Sequence, residues 1–182
     1  MERLALWRGL DEWRAEAANV RLDGDRLTAE GTQLGVTPTP YRLDYRLKTA
    51  ADYVAERLEL SVLHDGTVQR LLIVRHPDGS WTADDRPLAD LDERVLDFDV
   101  LHSPVLNSTP YLRHEMHTSG GTRDLVMAFV TVPELAVTRS EQRYTPLGGA
   151  RVNYASGDFS ADIHFDEDGL VRLYEDYLER VS

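Results

Sequence analysis

The chain contains no cysteine, which excludes disulfides, thiolate catalysis and cysteine-ligated zinc or iron–sulfur clusters. Lysine is almost as scarce: Lys48 is the only one, and the other basic residues are arginines. That usage carries no functional weight by itself. No apolar run approaches the ~18 residues that a membrane-spanning helix needs, so membrane insertion is not expected. The opening residues Met1-Glu2-Arg3-Leu4-Ala5-Leu6-Trp7-Arg8 lack the basic region and long apolar stretch of a secretory signal, and a cytoplasmic location is the expectation. Neither a glycine-rich phosphate loop followed by a basic residue and Ser or Thr nor a Gly-x-Ser-x-Gly nucleophile elbow is present, so nucleotide and acyl-transfer chemistry find no support. Positive charge is short as well. A net charge of -12 and a pI near 4.8 repel nucleic-acid phosphate, which needs clustered cations, and disfavour anionic membrane surfaces.

What the chain does have is length and alternation. Its 182 residues suit a single domain over 1–182, able to bury roughly 70% of its unfolded surface. Tyr41-Arg42-Leu43-Asp44-Tyr45-Arg46-Leu47 and Phe159-Ser160-Ala161-Asp162-Ile163-His164-Phe165 alternate apolar and polar residues without error, the pattern of half-buried strands. Arg57 to Val62 alternates too, Leu71 to Val74 is continuously apolar, and Leu125 to Val132 reads as buried on both faces. Between the runs lie His64-Asp65-Gly66-Thr67, Pro77-Asp78-Gly79-Ser80, Ser119-Gly120-Gly121-Thr122, Gly148-Gly149 and Asp166-Glu167-Asp168-Gly169, all suited to tight reversals with positive φ. Short spacing with few long helical segments predicts sequential antiparallel strands in a meander. Ala5 to Ala18 and Leu170 to Val181 carry helix formers at helical spacing, and Pro87 to Leu96 fits a short helix with Pro87 in its first turn.

The chemistry-bearing residues are few. Asp97 and Asp99 would project from one strand face with Cα atoms ~7 Å apart, a separation permissive for the two carboxyl groups of an inverting glycosidase. The plainer account has both acids anchoring Arg113 or backbone amides, with Arg113 paired to Asp99. His114 and His117 are three apart, not the four of a helical zinc motif, and adding His102 gives three histidines that fit solvent or core positions; no metal and no cofactor are predicted. Asn107, Arg113, Gln142 and Tyr144 are suited to sugar hydroxyls and head-group anions. Tyr41, Tyr45, Trp81, Phe98, Tyr111, Phe129 and Phe165 supply aromatic bulk for either a lipid cavity or a closed core.

The stretch from Asp97-Phe98-Asp99 through Ser103-Pro104-Val105-Leu106-Asn107-Ser108-Thr109-Pro110-Tyr111-Leu112-Arg113 resembles the signature of a bacterial family described as putative glycolipid-binding, in which Asp-x-Asp leads into Thr-Pro-x-Thr-Asn-Thr-Leu-Pro-Ile-Arg-Arg. Ser103, Leu106, Thr109, Tyr111 and Leu112 depart from that pattern, leaving Arg113 as the single guanidinium. The resemblance continues through Trp7-Arg8, Tyr45-Arg46-Leu47, Asp78-Gly79-Ser80-Trp81, Val132-Pro133-Glu134-Leu135, Gln142-Arg143-Tyr144-Thr145 and Asp166 to Tyr174, and its counterpart of Gly169 to Tyr174 reads as a strand. It implies a mainly β protein: one antiparallel meander sheet curled into a partial barrel around short helical or loop elements, similar to periplasmic lipoprotein-carrier proteins, with an amphiphile on the concave face. Asp97, Asp99, Asn107, Arg113, Gln142, Tyr144, Tyr45 and Trp81 are the candidate ligand-binding residues, and none is assigned as catalytic. The favoured reading is a non-enzymatic binder of a glycolipid-like amphiphile. The alternatives are an enzyme using Asp97 and Asp99 on a sugar conjugate, and a structural module that forms a homodimer without ligand.

Overall fold

A computed structural model describes residues 1–118 and 120–182. Its strands are β1 (Glu2–Gly9), β2 (Arg14–Asp23), β3 (Arg26–Gly35), β4 (Tyr41–Thr49), β5 (Ala55–His64), β6 (Thr67–Arg75), β7 (Trp81–Ala83), β8 (Arg86–Pro87) and β9 (Asp97–Val100). The helix α1 (Pro104–Arg113) follows, then β10 (Arg123–Val130), β11 (Val137–Gly148), β12 (Arg151–Ser156), β13 (Phe159–Phe165), β14 (Val171–Tyr174) and β15 (Leu178–Arg180). All of these strands join one sheet in the order β8-β7-β6-β5-β4-β3-β2-β1-β15-β14-β13-β12-β11-β10-β9. Every pairing is antiparallel except that of β9 with β10. Two meanders thus meet at the centre, where β1 pairs with β15 through Trp7 opposite Arg180.

Alternation drives the curl. Tyr41, Leu43, Tyr45 and Leu47 of β4 are buried while Arg42, Arg46 and Lys48 face solvent, so one face is withdrawn from water and the sheet wraps around it. The sheet stays open, with β8 and β9 as its edges, and the first half touches the second where Ala55 N–H donates to Leu96 O at 2.8 Å. In the β5–β6 turn Asp65 and Gly66 have φ of 47° and 72°, the two positive values that a two-residue hairpin matched to strand twist requires. The concave space is occupied in part by α1, whose residues from Pro104 to Tyr111 are all buried. Tyr111 stacks on Phe165 of β13 with ring centroids 3.7 Å apart.

Three expectations need correction. Ala5 to Ala18 is a hairpin of β1 and β2, not a helix; the inward positions of β2 include Arg14 and Glu16 along with Ala18 and Val20, so polar residues sit where a pattern of alternation expects apolar ones and mask the strand. Pro87 to Leu96 is not a helix: Pro87 ends β8 and the rest forms turns; Leu91 and Val95 are buried there, but Leu91 N–H and Val95 N–H close only short turns onto Leu88 and Asp92. The glycine pair expected at a hairpin tip instead joins α1 to β10, and Ser119 of that segment lies outside the described residues. At the C-terminus, Leu170 to Val181 adopts β14 and β15, the strand alternative.

Candidate functional site

The helix begins against the grain of its own sequence. Ser103 occupies the N-cap position without capping; its Oγ donates instead to Glu16 Oε1 at 3.0 Å. Pro110 lies inside the helix and has no N–H to offer Leu106 O. The Thr109 hydroxyl lies 3.0 Å from that carbonyl and 3.1 Å from Asp97 Oδ1, and its one proton serves either acceptor. Arg113 closes the helix by gripping Asp97 through both carboxylate oxygens, with Nη1 2.6 Å from Oδ1. The pair is therefore Arg113 with Asp97, not with Asp99. The resulting ion pair is almost dry, at 8% and 1% side-chain exposure.

Asp99, two residues on, has a different fate. It lines an open-mouthed cavity of about 360 Å³ between the N-terminal half of α1 and the concave face of β9 to β14. Its Oδ2 accepts from Gln142 Nε2 at 2.6 Å. Burial, set against that hydrogen bond and aided by the neighbouring charge of Asp97, raises its carboxyl to about 6. Asn107 and the facing hydroxyls of Ser140 and Ser156 also line the cavity, and Asn107 Nδ2 donates to Tyr144 OH at 2.9 Å. The opposite wall is aromatic. Tyr154, Phe159, Tyr174 and Tyr177 line it, each ring contacting others in the set at centroid separations between 5.1 and 6.0 Å. Burial raises the Tyr154 and Tyr174 phenols above their ordinary range and Tyr177 to about 12, so all three remain neutral hydrogen-bonding groups at pH 7.

His102 forms the rim. Its φ of 70° is uncommon for a residue with a side chain, and it turns the chain from β9 into α1 so that Nδ1 meets the Tyr177 hydroxyl. Burial, with the Arg14 charge nearby, pushes the imidazole down to about 4, leaving it neutral. The Arg14 guanidinium lies 4.4 Å over the Tyr177 ring and is ion-paired to Asp11 and Glu12, so it props the aromatic wall from outside.

Of the predicted residues, the structure brings Asp99, Asn107, Gln142 and Tyr144 together, the first two in the lining and the others directly behind it. Asp97 and Arg113 form a separate strut outside the lining. Tyr45 and Trp81 lie elsewhere in the core: Tyr45 OH donates to Glu16 at 2.7 Å and Trp81 packs edge-on against Phe98. Of the aromatic residues expected to line a cavity, Phe129 borders this one and Tyr45 borders a separate hollow on the first meander. His102, Tyr154, Phe159, Tyr174 and Tyr177 were not singled out for this site. Their one signal was Tyr174-x-x-Tyr177, which helical spacing disguised. Among the described residues, no group of three or more His, Asp or Glu is placed to hold a metal ion, and no helix is long and apolar enough to cross a membrane.

A family model described as putative glycolipid-binding matches residues 4–180. The chain belongs to that family. A crystal structure of a DUF1089 family protein from Pseudomonas aeruginosa is similar over 92% of this chain and 91% of that one, with a TM-score of 0.76 and 28% sequence identity. No curated protein matches the chain. That structural similarity extends over nearly the whole of the curled, open and mostly antiparallel sheet described above.

Proposed function

We propose that this member of the family is a binding protein that takes the sugar end of an amphiphile into the cavity beside α1. A sugar ring has an apolar C–H face and an equator of hydroxyls. The aromatic wall of Tyr154, Phe159, Tyr174 and Tyr177 suits the first, while Asp99, Asn107, Ser140 and Ser156 suit the second. This pairing of a ring wall with a polar wall in one cavity is the observation that carries the reading. At about 360 Å³ the cavity is near the low end of the ~300–1,000 Å³ typical of small-molecule sites, which favours one ring or a short chain over a whole two-chain lipid. The chain would leave past Phe159, which is 43% exposed.

Hydrolysis is less well supported. A glycosidase needs two carboxyl groups facing one bond, and Asp97, gripped by Arg113 and approached by Thr109, is not part of the cavity lining. The test is native mass spectrometry on protein purified gently from cells, followed by organic extraction. A reproducible mass increment that extracts as a glycoconjugate is expected; a bare protein mass from cells rich in glycolipid would overturn the reading.

A further inference from the structure

Resting on the sugar-binding reading above, we infer that the cavity is selective for neutral or cationic head groups and rejects anionic ones, with Asp99 as the residue that sets the selection. Among the described residues, the cavity lining contains no lysine or arginine. Its ionisable members with charge to offer reduce to Asp99, since His102 is neutral and the three tyrosines keep their protons. A phosphate, sulfate or uronate entering the site would therefore meet a carboxylate and no counter-charge, whereas a hydroxyl or ammonium group would donate to it.

The approach to the cavity repeats the same sign. Phe159 and Tyr177 are shared with a neighbouring hollow of about 480 Å³ whose lining includes Asp11, Asp162, Glu175 and Asp176. Arg14, whose guanidinium lies over the Tyr177 ring, is engaged by Asp11 and Glu12, and the His164 ring lies 2.7 Å from Glu175 Oε1. The acidic hollow is not offered as a site. It sets the potential through which a head group passes to reach Asp99, in a chain whose net charge is -12. Gln142 fixes the carboxylate by donating to Oδ2, and the buried Gln142 Oε1 has no hydrogen-bond partner, so the amide supplies orientation without bringing positive charge.

Three probes with the same chain and nearly the same ring separate the possibilities: octyl glucoside, its amino-sugar analogue octyl glucosaminide, and octyl glucuronide, each titrated below its micelle concentration at low salt. Wild-type protein is expected to bind the first two and to bind the glucuronide at least about tenfold more weakly. Asp99→Asn should narrow that gap, read as the ratio of glucoside to glucuronide affinity within the variant whatever its absolute affinity for octyl glucoside, and Asp99→Glu should keep it; an unchanged ratio in folded Asp99→Asn overturns the role given to Asp99. Glucuronide binding as tight as glucoside binding to wild type overturns the selectivity and leaves the sugar-binding reading standing. Binding of none of the three overturns both. The wild-type comparison decides the selectivity even where a variant fails to fold, and the Asp99 variants decide which residue sets it.

Discussion

Arg113 and Asp97 form a two-pronged ion pair that locks the end of α1 to the edge strand β9. Charges this well buried are costly to bring out of water, and the pair is tolerable because both Nη groups of Arg113 bond to Asp97, while the buried Arg113 Nε is left without a partner among the described residues. Removing one partner strands the other. Arg113→Ala and Asp97→Ala should each lower stability by about 3–5 kcal/mol in urea unfolding, far more than an exposed pair such as Arg143 with Asp124, for which less than about 1 kcal/mol is expected. Equal, small losses at the two sites would show that α1 is held mainly by apolar packing.

Glu16 makes a prediction of opposite character, because it is buried against donors but no cation. Tyr45 OH, Ser103 Oγ and Gln33 Nε2 lie 2.7, 3.0 and 3.3 Å from its oxygens. Burial outweighs those three bonds and raises its carboxyl to about 7. An acid with a raised folded pKa binds more protons folded than unfolded, so its contribution to stability is greatest below the unfolded pKa near 4.5 and falls as pH rises to about 7. The size of that loss is on the order of 3 kcal/mol. Glu16→Gln should flatten this part of the profile and leave the protein relatively more stable than wild type at pH 8. Asp99 adds a smaller slope of the same sign, toward about 6, that survives the substitution. Denaturant midpoints at half-unit pH steps measure both.

Much of the fold was legible where side-chain alternation was clean. Tyr41 to Leu47 declared β4 with its buried face, and the Asp65-Gly66 turn declared a hairpin. Legibility failed where function or special packing had replaced apolar residues. Arg14 and Glu16 occupy inward positions of β2, so the strand looked helical. In α1, Asn107, Ser108 and Thr109 are as buried as Val105 and Leu106, so no polar face marks a helix, and Pro110 argues locally against one. Among the site's polar residues, Asp99 and Asn107 are conspicuous against apolar neighbours, whereas Gln142 lies between Glu141 and Arg143 and is marked only by its amide. The aromatic half of the site was hidden, since a tyrosine in a cavity wall and a tyrosine in a packed core have the same sequence.

The first meander contains a close approach that should be measurable. Gly31 and Gly35 of β3 stand opposite Tyr45 and Tyr41 of β4. A Cβ at Gly35 would lie 2.5 Å from Tyr41 Cε1, and one at Gly31 would collide with the Tyr45 ring. Tyrosine rings thus cover the space that glycine leaves. The rings are not free to retreat, because Tyr45 OH is bonded to Glu16 and Tyr41 OH to Gln33. Gly31→Ala should destabilise by about 1–3 kcal/mol. Combined with Tyr45→Leu it should cost clearly less than the sum of the two single changes; additive losses would mean that the contact is relieved by backbone movement instead.

Phe159 offers the cleanest separation of binding from folding. It is 43% exposed, yet its ring sits 5.6 Å from Tyr177 and 6.0 Å from Tyr154 and Tyr174, at the lip of the cavity where the amphiphile chain is proposed to leave. Deleting an exposed ring sacrifices little core, so Phe159→Ala should change stability by less than about 1 kcal/mol. The same deletion removes a wall from the bound sugar, and affinity for octyl glucoside should fall about tenfold, equivalent to roughly 1.4 kcal/mol. Tyr174→Ala is a poor substitute for this test: Tyr174 is buried against the rest of the wall, and its loss would cost about 3 kcal/mol of folding stability and confound the readout. Calorimetric titration beside urea unfolding of the Phe159→Ala variant resolves the two effects. Unchanged affinity in a stable variant would move the binding surface away from this lip and count against the aromatic wall as the sugar's platform.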